Sequence, residues 1–544
     1  MGKQKSNPNK FKKKSFEPRK TFAQREQAEK LPIVEITSEY SKQVVAVSGI
    51  VDRIAQTGGP TIFSVTDGTS TLALKGFLKP GARAYPEIEE GDAIAAEVRV
   101  DEFNGELEGE IQRIKKLDEV GKQKVLDSMD EILRERAKVE PTPFLIKSQI
   151  LDKLKSKMIE AAQNIRMAIF QNRPVIIRHH NDTDGYSAGF ALERAILPLI
   201  EEEHSSAKAG WEFYLRAPSS APFYEIDDSI RDTSTSLRNV AKFSNKMPLV
   251  LIVDNGSTPE DLLGIKHGKV HGMEFIVVDH HFFDEDVISK EVLTHINPFL
   301  VGEDGSAFSA GMLCTELARF INKDVSNISQ IPALAGLADK IDLMNKTDVD
   351  AYVKIAEEEG YTRELLADIS TVIDYVSAKV RFMEVREYIG VLFGEPRDRQ
   401  KALVELMAPH IRELEEKGLA IGKSTVKAEK IGKTTLQILD IDSTFPGFGF
   451  YPKPGRSVSL IHDYAEKQKS DNLVSIGLMN TAITIRATDK ANFSVHELIV
   501  YLNEKSPNAF VDGGGHKNAG SINFIPGKKE EVLKLFKDFV KTRQ

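Results

Sequence analysis

The chain has 544 residues, about three domains' worth at roughly 150 residues each, which excludes a single compact core. Hydrophobic residues make up 41% and charged residues 28%, an ordinary soluble composition, and no apolar run approaches the ~18 residues of a membrane span. The one cysteine, Cys314, excludes an internal disulfide, and the Lys-rich start lacks a following apolar core, so a cytoplasmic protein is expected.

The net charge of −8 looks wrong for a nucleic-acid partner until it is divided along the chain. Residues 1–30 carry ten Lys and Arg against Glu17, Glu26 and Glu29, a balance of +7. Residues 423–544 carry 18 basic and 13 acidic residues, a balance of +5, which leaves −20 on residues 31–422.

Residues 1–30 are rich in Lys, Asn, Ser and Pro and hold too few aliphatic side chains to offset ordering entropy, so a disordered basic arm is predicted. Its clustered cations suit a tether to phosphate through counterion release, and equally a solubilising tail. Residues 40–117 change to short alternating runs broken by turns: VVAVSGIV, TGGP, TIFSV, TDGT, TLALKGF, then GDAIAAEV and FNGELEGEI. Five such segments at this spacing predict an OB-fold, a nucleic-acid-binding barrel, with Phe63, Phe77 and Phe103 as candidates for stacking bases. For Phe63 and Phe77 the competing reading is core, and the local acidic excess works against phosphate binding.

Residues 118–172 have helical periodicity, with Ile150, Leu151, Leu154 and Met158 on one face, and read as a helical linker packed on the next domain. Residues 173–345 alternate strands and helices. The apolar runs PVIIR, PLVLIV and EFIVV, together with EFYLR, predict a doubly wound parallel sheet, whose ligands bind where the strands end. Residues 346–422 read as a helical connector without chemistry, and residues 423–544 as a smaller α/β domain.

The ends of those strands carry the chemistry. After the first comes His180-Asn181-Asp182-Thr183-Asp184-Gly185, after the third Asp254-Asn255-Gly256, and after the fourth Asp279-His280-His281; Asp339 follows the run IPALAGLA. Singly, each is a turn signal or a helix cap. Together they bring at least four carboxylates to one cleft, where they repel unless cations neutralise them. Oxygen-rich sites with one or two imidazoles suit manganese or magnesium better than zinc, and a pair of such ions about 3.5–4 Å apart clamps the oxygens of an in-line phosphoryl displacement. The predicted chemistry is phosphoester hydrolysis.

These motifs in this order, followed by Gly513-Gly514-Gly515-His516, resemble the DHH phosphoesterase superfamily with its associated C-terminal domain, over residues 173–530. Ser309-Ala310-Gly311 is similar to the RecJ-type exonuclease branch, and the whole pattern to its archaeal members. The resemblance implies two divalent ions, manganese preferred, with His180 and Asp182 on one, Asp184, His280 and Asp339 on the other, and Asp254 between them. It implies that His281 contacts the scissile phosphate or protonates the leaving oxygen, that Asp279 orients the histidines, and that Arg486, Gly513, Gly514, Gly515 and His516 hold substrate. Many relatives place a histidine where this chain has Arg178; His180 or the adjacent His179 takes its place.

The segment FPGFGFYPKPGR interleaves Phe445, Phe448, Phe450 and Tyr451 with Lys453 and Arg456, which fits either a single-strand platform or an interdomain packing loop. The leading expectation is an exonuclease releasing 5′-mononucleotides from single-stranded DNA or RNA by a two-metal mechanism. The alternatives are a hydrolase of short oligonucleotides or cyclic dinucleotides, and a replication scaffold, since the resemblance implies partners such as the GINS factor or RNA-processing proteins.

Overall fold

The computed structural model describes residues 28–543 apart from 104, 141, 205–207, 220, 244–245, 381–385, 448–449 and 469–471, with the backbone alone at Phe243 and His516. Nearly all of the predicted basic arm, Phe448 and the His516 side chain therefore lie outside the described residues. The chain divides into two compact units, the first holding most of an N-terminal barrel and the second everything from Leu126 onward.

Strands β1 (Val44–Gln56), β2 (Thr61–Thr66), β3 (Thr71–Gly76), β4 (Ala93–Phe103) and β5 (Glu106–Lys116) close a barrel in the order β1-β2-β3-β5-β4. Antiparallel pairing of β1 with β4 completes the ring, and β3 runs parallel to β5. Period-2 patterning does the sorting: Leu72 and Leu74 of β3 point inward while their neighbours are half-exposed. Phe63 is fully buried against the edge of Tyr85, which removes it from the stacking candidates. Phe77 and Phe103 remain 62% and 58% exposed, and Lys75 Nζ lies 4.6 Å from the centre of the Phe103 ring.

The second unit is built on two sheets. Strands β6 (Val175–His179), β7 (Tyr214–Pro218), β8 (Leu249–Val253), β9 (Glu274–Val278) and β10 (Thr294–Ile296) lie parallel in the order β10-β9-β8-β6-β7. Every residue of β6 and β8 is buried, as continuous apolar runs require when both faces of a sheet are covered. Helix Gln149–Phe170, from the predicted linker, joins this core through Leu151, Leu154 and Met158. The chain starts in β6, steps outward to β7, then crosses to the opposite side of β6 for β8. That reversal of strand order is the position where open parallel sheets bind ligands. In register, His179, Val253 and Val278 stand side by side, so the loops that follow β6, β8 and β9 leave the sheet at one level.

Helices Lys346–Glu358, Arg363–Val380, Arg386–Leu392 and Arg397–Thr425 lead to the second sheet. Its strands β11 (Lys427–Ile431), β12 (Thr434–Asp440), β13 (Leu473–Leu478), β14 (Ala482–Ala487), β15 (Asp512–His516) and β16 (Ala519–Asn523) run in the order β11-β12-β13-β14-β16-β15. Only β12 and β13 are parallel, and Phe493, Phe536 and Phe539 fill the core beneath them.

Arg178, where relatives have a histidine, is a structural residue. Its guanidinium is buried and grips the Asp232 carboxylate through two nitrogens, donating also to the Pro218 carbonyl at 3.1 Å. Replacing Arg178 with Met leaves buried Asp232 without its cation and removes one of the two arginines beside Asp228. The expected loss is about 3–5 kcal/mol, read from the urea-unfolding midpoint; an unchanged midpoint contradicts this role.

Candidate metal centre and cleft

The residue that organises the centre is Asp254, one position past the end of β8. It adopts a left-handed backbone conformation (φ 59°), and the bend turns its carboxylate across the mouth of the sheet. One oxygen, Oδ1, lies 3.3 Å from His280 Nε2, and the other, Oδ2, lies 3.6 Å from His180 Nδ1. Three overlapping donor groups meet here: His180, Asp182 and Asp254; Asp254, His280 and His281; and Asp184, His280 and Asp339, which Asp254 reaches through the shared His280.

Helix Thr183–Glu203 delivers two of the carboxylates. Asp182 is its N-cap, accepting from the Gly185 N–H at 3.0 Å through Oδ1, while Oδ2 meets His180 Nδ1 at 2.9 Å. Asp184, in the first turn, accepts from the N–H groups of Ala310 and Gly311, both at 2.9 Å, at the start of helix Ala310–Ile321. This gives the Ser309-Ala310-Gly311 motif a physical role. A Cβ at Gly311 would sit 2.8 Å from Asp184 Oδ1 and 2.5 Å from the Ala335 Cβ, so only glycine allows that approach. Sequence reading noted the motif as a family mark and missed this function; the Ser cap before a Gly was the available signal.

The Asp279-His280-His281 turn is locked by its aspartate. Asp279 Oδ1 accepts from the backbone N–H of His280 (2.8 Å) and His281 (3.2 Å), and Oδ2 accepts from Ser257 N–H at 3.1 Å. Its Oδ1 also meets His281 Nδ1 at 2.7 Å, which fixes that ring with Nε2 pointing away from the aspartate. Burial alone would raise Asp279, but His281 and these donors hold it well below the usual carboxylate range. His280 donates its Nδ1–H to the Gly305 carbonyl at 3.1 Å, so Nε2 faces Asp254, Asp339 (3.4 Å) and Asp184 (3.7 Å). His179 points elsewhere, with its Nδ1 2.7 Å from the His180 carbonyl and its edge on Tyr186, and burial drives it down to about 3. Geometry thus brings His180, and not His179, to the carboxylates.

The electrostatics fit a cation centre. Burial and the Asp254 and Asp339 carboxylates push Asp184 well above its ordinary range. Burial, against the pull of His280 and with the push of Asp182 and Asp254, holds Asp339 up at about 7. Among the described residues, no group donates a hydrogen bond to the buried Asp254 Oδ2. Carboxylates so placed are relieved by divalent cations held among oxygen and imidazole donors, a donor set that suits manganese or magnesium.

Beside this centre opens a cleft of about 1190 Å³, reaching from His180 and Asn181 past Phe223 and Phe450 to Gly513 and Asn523. Gly513 lies in β15, the edge strand, where Cβ atoms at Gly513 and Gly515 would fall 2.2 and 2.5 Å from carbonyls of β16. Gly514 and the His516 backbone continue that strand. Arg486, in β14, donates through Nε to Ser459 Oγ at 3.1 Å and is not among the residues lining the cleft. The FPGFGFYPKPGR segment divides its roles. Phe445 and Phe450 stack at 5.3 Å along the cleft, whereas Tyr451 is buried with its hydroxyl on Glu415 Oε1. Arg456 clamps the same Glu415 with bonds of 2.6 and 2.9 Å, so these two serve packing rather than a strand platform.

No protein-family model matches the sequence. The uncharacterized protein MJ1198 of Methanocaldococcus jannaschii is 35% identical over 532 residues, which is 92% of this chain and 69% of that protein. A solved structure described as the DHH domain of a member of the s1p family of ribosomal proteins is 37% identical, with a TM-score of 0.72 over 77% of this chain and 98% of that one. The chain belongs to the DHH family. The Thermus thermophilus RecJ, solved with Mn²⁺, shares the DHH fold at 16% identity and a TM-score of 0.51, over 76% of this chain and 59% of that one. Among the described residues of this DHH protein, no helix is long and apolar enough to cross a membrane.

Relief of buried charge makes ion binding visible in stability. At a hundred times its dissociation constant, Mn²⁺ is expected to stabilise the fold by about 2.7 kcal/mol per site, read as a rise in melting temperature. Asp254→Ala should lose most of that rise, and an equal rise in both proteins would contradict the centre described here.

Proposed function

We propose that this protein is a metal-dependent phosphodiesterase, an exonuclease that hydrolyses single-stranded DNA or RNA to 5′-mononucleotides with two divalent ions, manganese preferred and magnesium accepted. The observation that carries the reading is Asp254, whose two oxygens face separate donor groups at the mouth of a parallel sheet. His180 and Asp182 are assigned to one ion, Asp184, His280 and Asp339 to the other, and Asp254 to both. The Mn²⁺ held by the Thermus thermophilus RecJ of the same fold supports that choice of ion.

Bound there, the ions would supply Lewis acidity at the scissile phosphate and neutralise the charge that develops on it. The chain supplies the rest. His281 is assigned the proton for the leaving oxygen, because Asp279 occupies its Nδ1 and leaves Nε2 turned outward. Asp279 fixes the ring and its tautomer through Oδ1 on His281 Nδ1, and is itself held by backbone N–H donors. Gly513, on the cleft, and the glycines that continue the edge strand β15 are assigned to hold substrate through the N–H groups that the ladder leaves outward, and His516 is retained as a substrate contact. The barrel favours a polymer over a small ester, since exposed Phe77 and Phe103 offer ring faces to bases without regard to sequence. Single-stranded nucleic acid is the proposed partner.

Digestion of 5′- and 3′-labelled single-stranded DNA and RNA with Mn²⁺ tests the reading. Asp279→Ala should lower the rate about 10–100-fold, as loss of an outer-shell partner does, and His280→Ala by more. Wild-type rates in both variants would sink the site assignment. In the barrel, Phe103→Ala should weaken binding of long strands by about 1–3 kcal/mol while leaving dinucleotide cleavage intact; equal losses on both substrates would contradict a stacking role.

A further inference from the structure

Helix Arg363–Val380 lies in a stretch where sequence reading saw no chemistry, yet it touches the turn that carries His180 and Asp182. Thr183 donates both its backbone N–H (3.1 Å) and its hydroxyl (2.8 Å) to Asp374 Oδ1. One turn further along, Ser377 Oγ accepts a hydrogen bond from Lys453 Nζ at 2.9 Å. The same ammonium stands 3.5 Å from the Asn181 carbonyl. Asn181 sits between His180 and Asp182, so Lys453, from the residues leading into helix Pro454–Glu466, reaches the edge of the candidate metal centre.

The neighbouring cations are committed differently. Arg456 is closed on Glu415, and Arg486 bonds Ser459 away from the lining of the cleft. Lys453 lines the cleft itself, in company with Lys379, His180 and Asn181. Its charge also acts on the Asp374 and Asp182 carboxylates, and its bond to Asn181 is at the limit of useful length, where a phosphate oxygen is the stronger acceptor. An ammonium has three donors on a compact charge, enough to keep Ser377 while turning another N–H to a ligand.

We propose that Lys453 is a phosphate-binding residue, holding a backbone phosphate of the strand beside the bond presented to the metal centre. The inference rests on the single-strand hydrolase reading above and names a contact within it. Lys453 exchanges the Asn181 carbonyl for the substrate's phosphate and keeps Ser377 as its anchor.

The test uses the full chain and its Lys453→Met and Lys453→Arg variants. KM and kcat are measured on a labelled single-stranded oligonucleotide across a salt series, with Mn²⁺ affinity measured separately by titration calorimetry. Lys453→Met should raise KM about tenfold or more and flatten the slope of log KM against log salt by about 0.7, the share of one phosphate contact on a single strand. Lys453→Arg should keep the wild-type slope, and Mn²⁺ affinity should not fall in either variant. A Met variant with the wild-type slope, or one that loses salt dependence and Mn²⁺ together, overturns the proposal; the second result would make Lys453 a support of the Asn181 turn. If the wild type cleaves and the Met variant keeps its slope, only this inference falls. If the wild type cleaves nothing in Mn²⁺, the hydrolase reading falls and this inference with it.

Discussion

Like charges gathered in a buried place are the constraint on which the second unit depends. Asp182, Asp184, Asp254 and Asp339 converge on His280 and His180, and no arrangement of water-excluded carboxylates is stable without compensation. The fold supplies part of it with hydrogen-bond donors: the first turn of helix Ala310–Ile321 for Asp184, the capping N–H of Gly185 for Asp182, and the DHH turn with Ser257 for Asp279. Among the described residues Asp254 has no such donor on Oδ2, and its two oxygens face His180 and His280. What remains uncompensated after the backbone has done its part is the charge that divalent cations neutralise.

The supporting groups matter as much as the carboxylates. Behind the DHH turn, Asn297 donates to both Ser257 Oγ and the His281 carbonyl at 3.0 Å, and His295 meets Ser257 Oγ at 2.9 Å. This buried network fixes the turn that aims two histidines. On the other flank, Phe282 packs 5.4 Å from the His496 ring, so the residue after the motif is also a point where the C-terminal region meets the loops of the parallel sheet. Helix Arg363–Val380 performs the matching task for the turn at Thr183. The centre is therefore held from several elements far apart in sequence, which preorganises it at the cost of burying many polar groups.

The strand ends were legible because apolar runs and the acidic or imidazole groups that follow them are local patterns. Asp182, Asp254 and His280 could be named from spacing and resemblance alone, with His180 left open against the adjacent His179. What could not be read were contacts closed by the fold. Arg178 looks like a displaced ligand in sequence and is an ion-pair partner of Asp232, 54 residues away. Asp374 and Ser377 carry no motif and acquire their role from the helix that brings them to Thr183 and Lys453. Phe63 and Phe77 both fall in runs that read as strands, yet one fills the barrel and the other is exposed, because Phe77 falls beyond the end of β3. Tyr451 and Arg456 look like a nucleic-acid platform until Glu415, on a separate helix, is seen to accept from both.

The central claim is that Asp254 joins two cation sites. Crystals of the full chain grown with Mn²⁺ and measured at the manganese absorption edge test it directly. The account predicts two anomalous peaks about 3.5–4 Å apart, one beside His180 and Asp182 and one beside Asp184, His280 and Asp339, with Asp254 touching both. A single peak, or peaks that leave Asp254 without a metal, would contradict it.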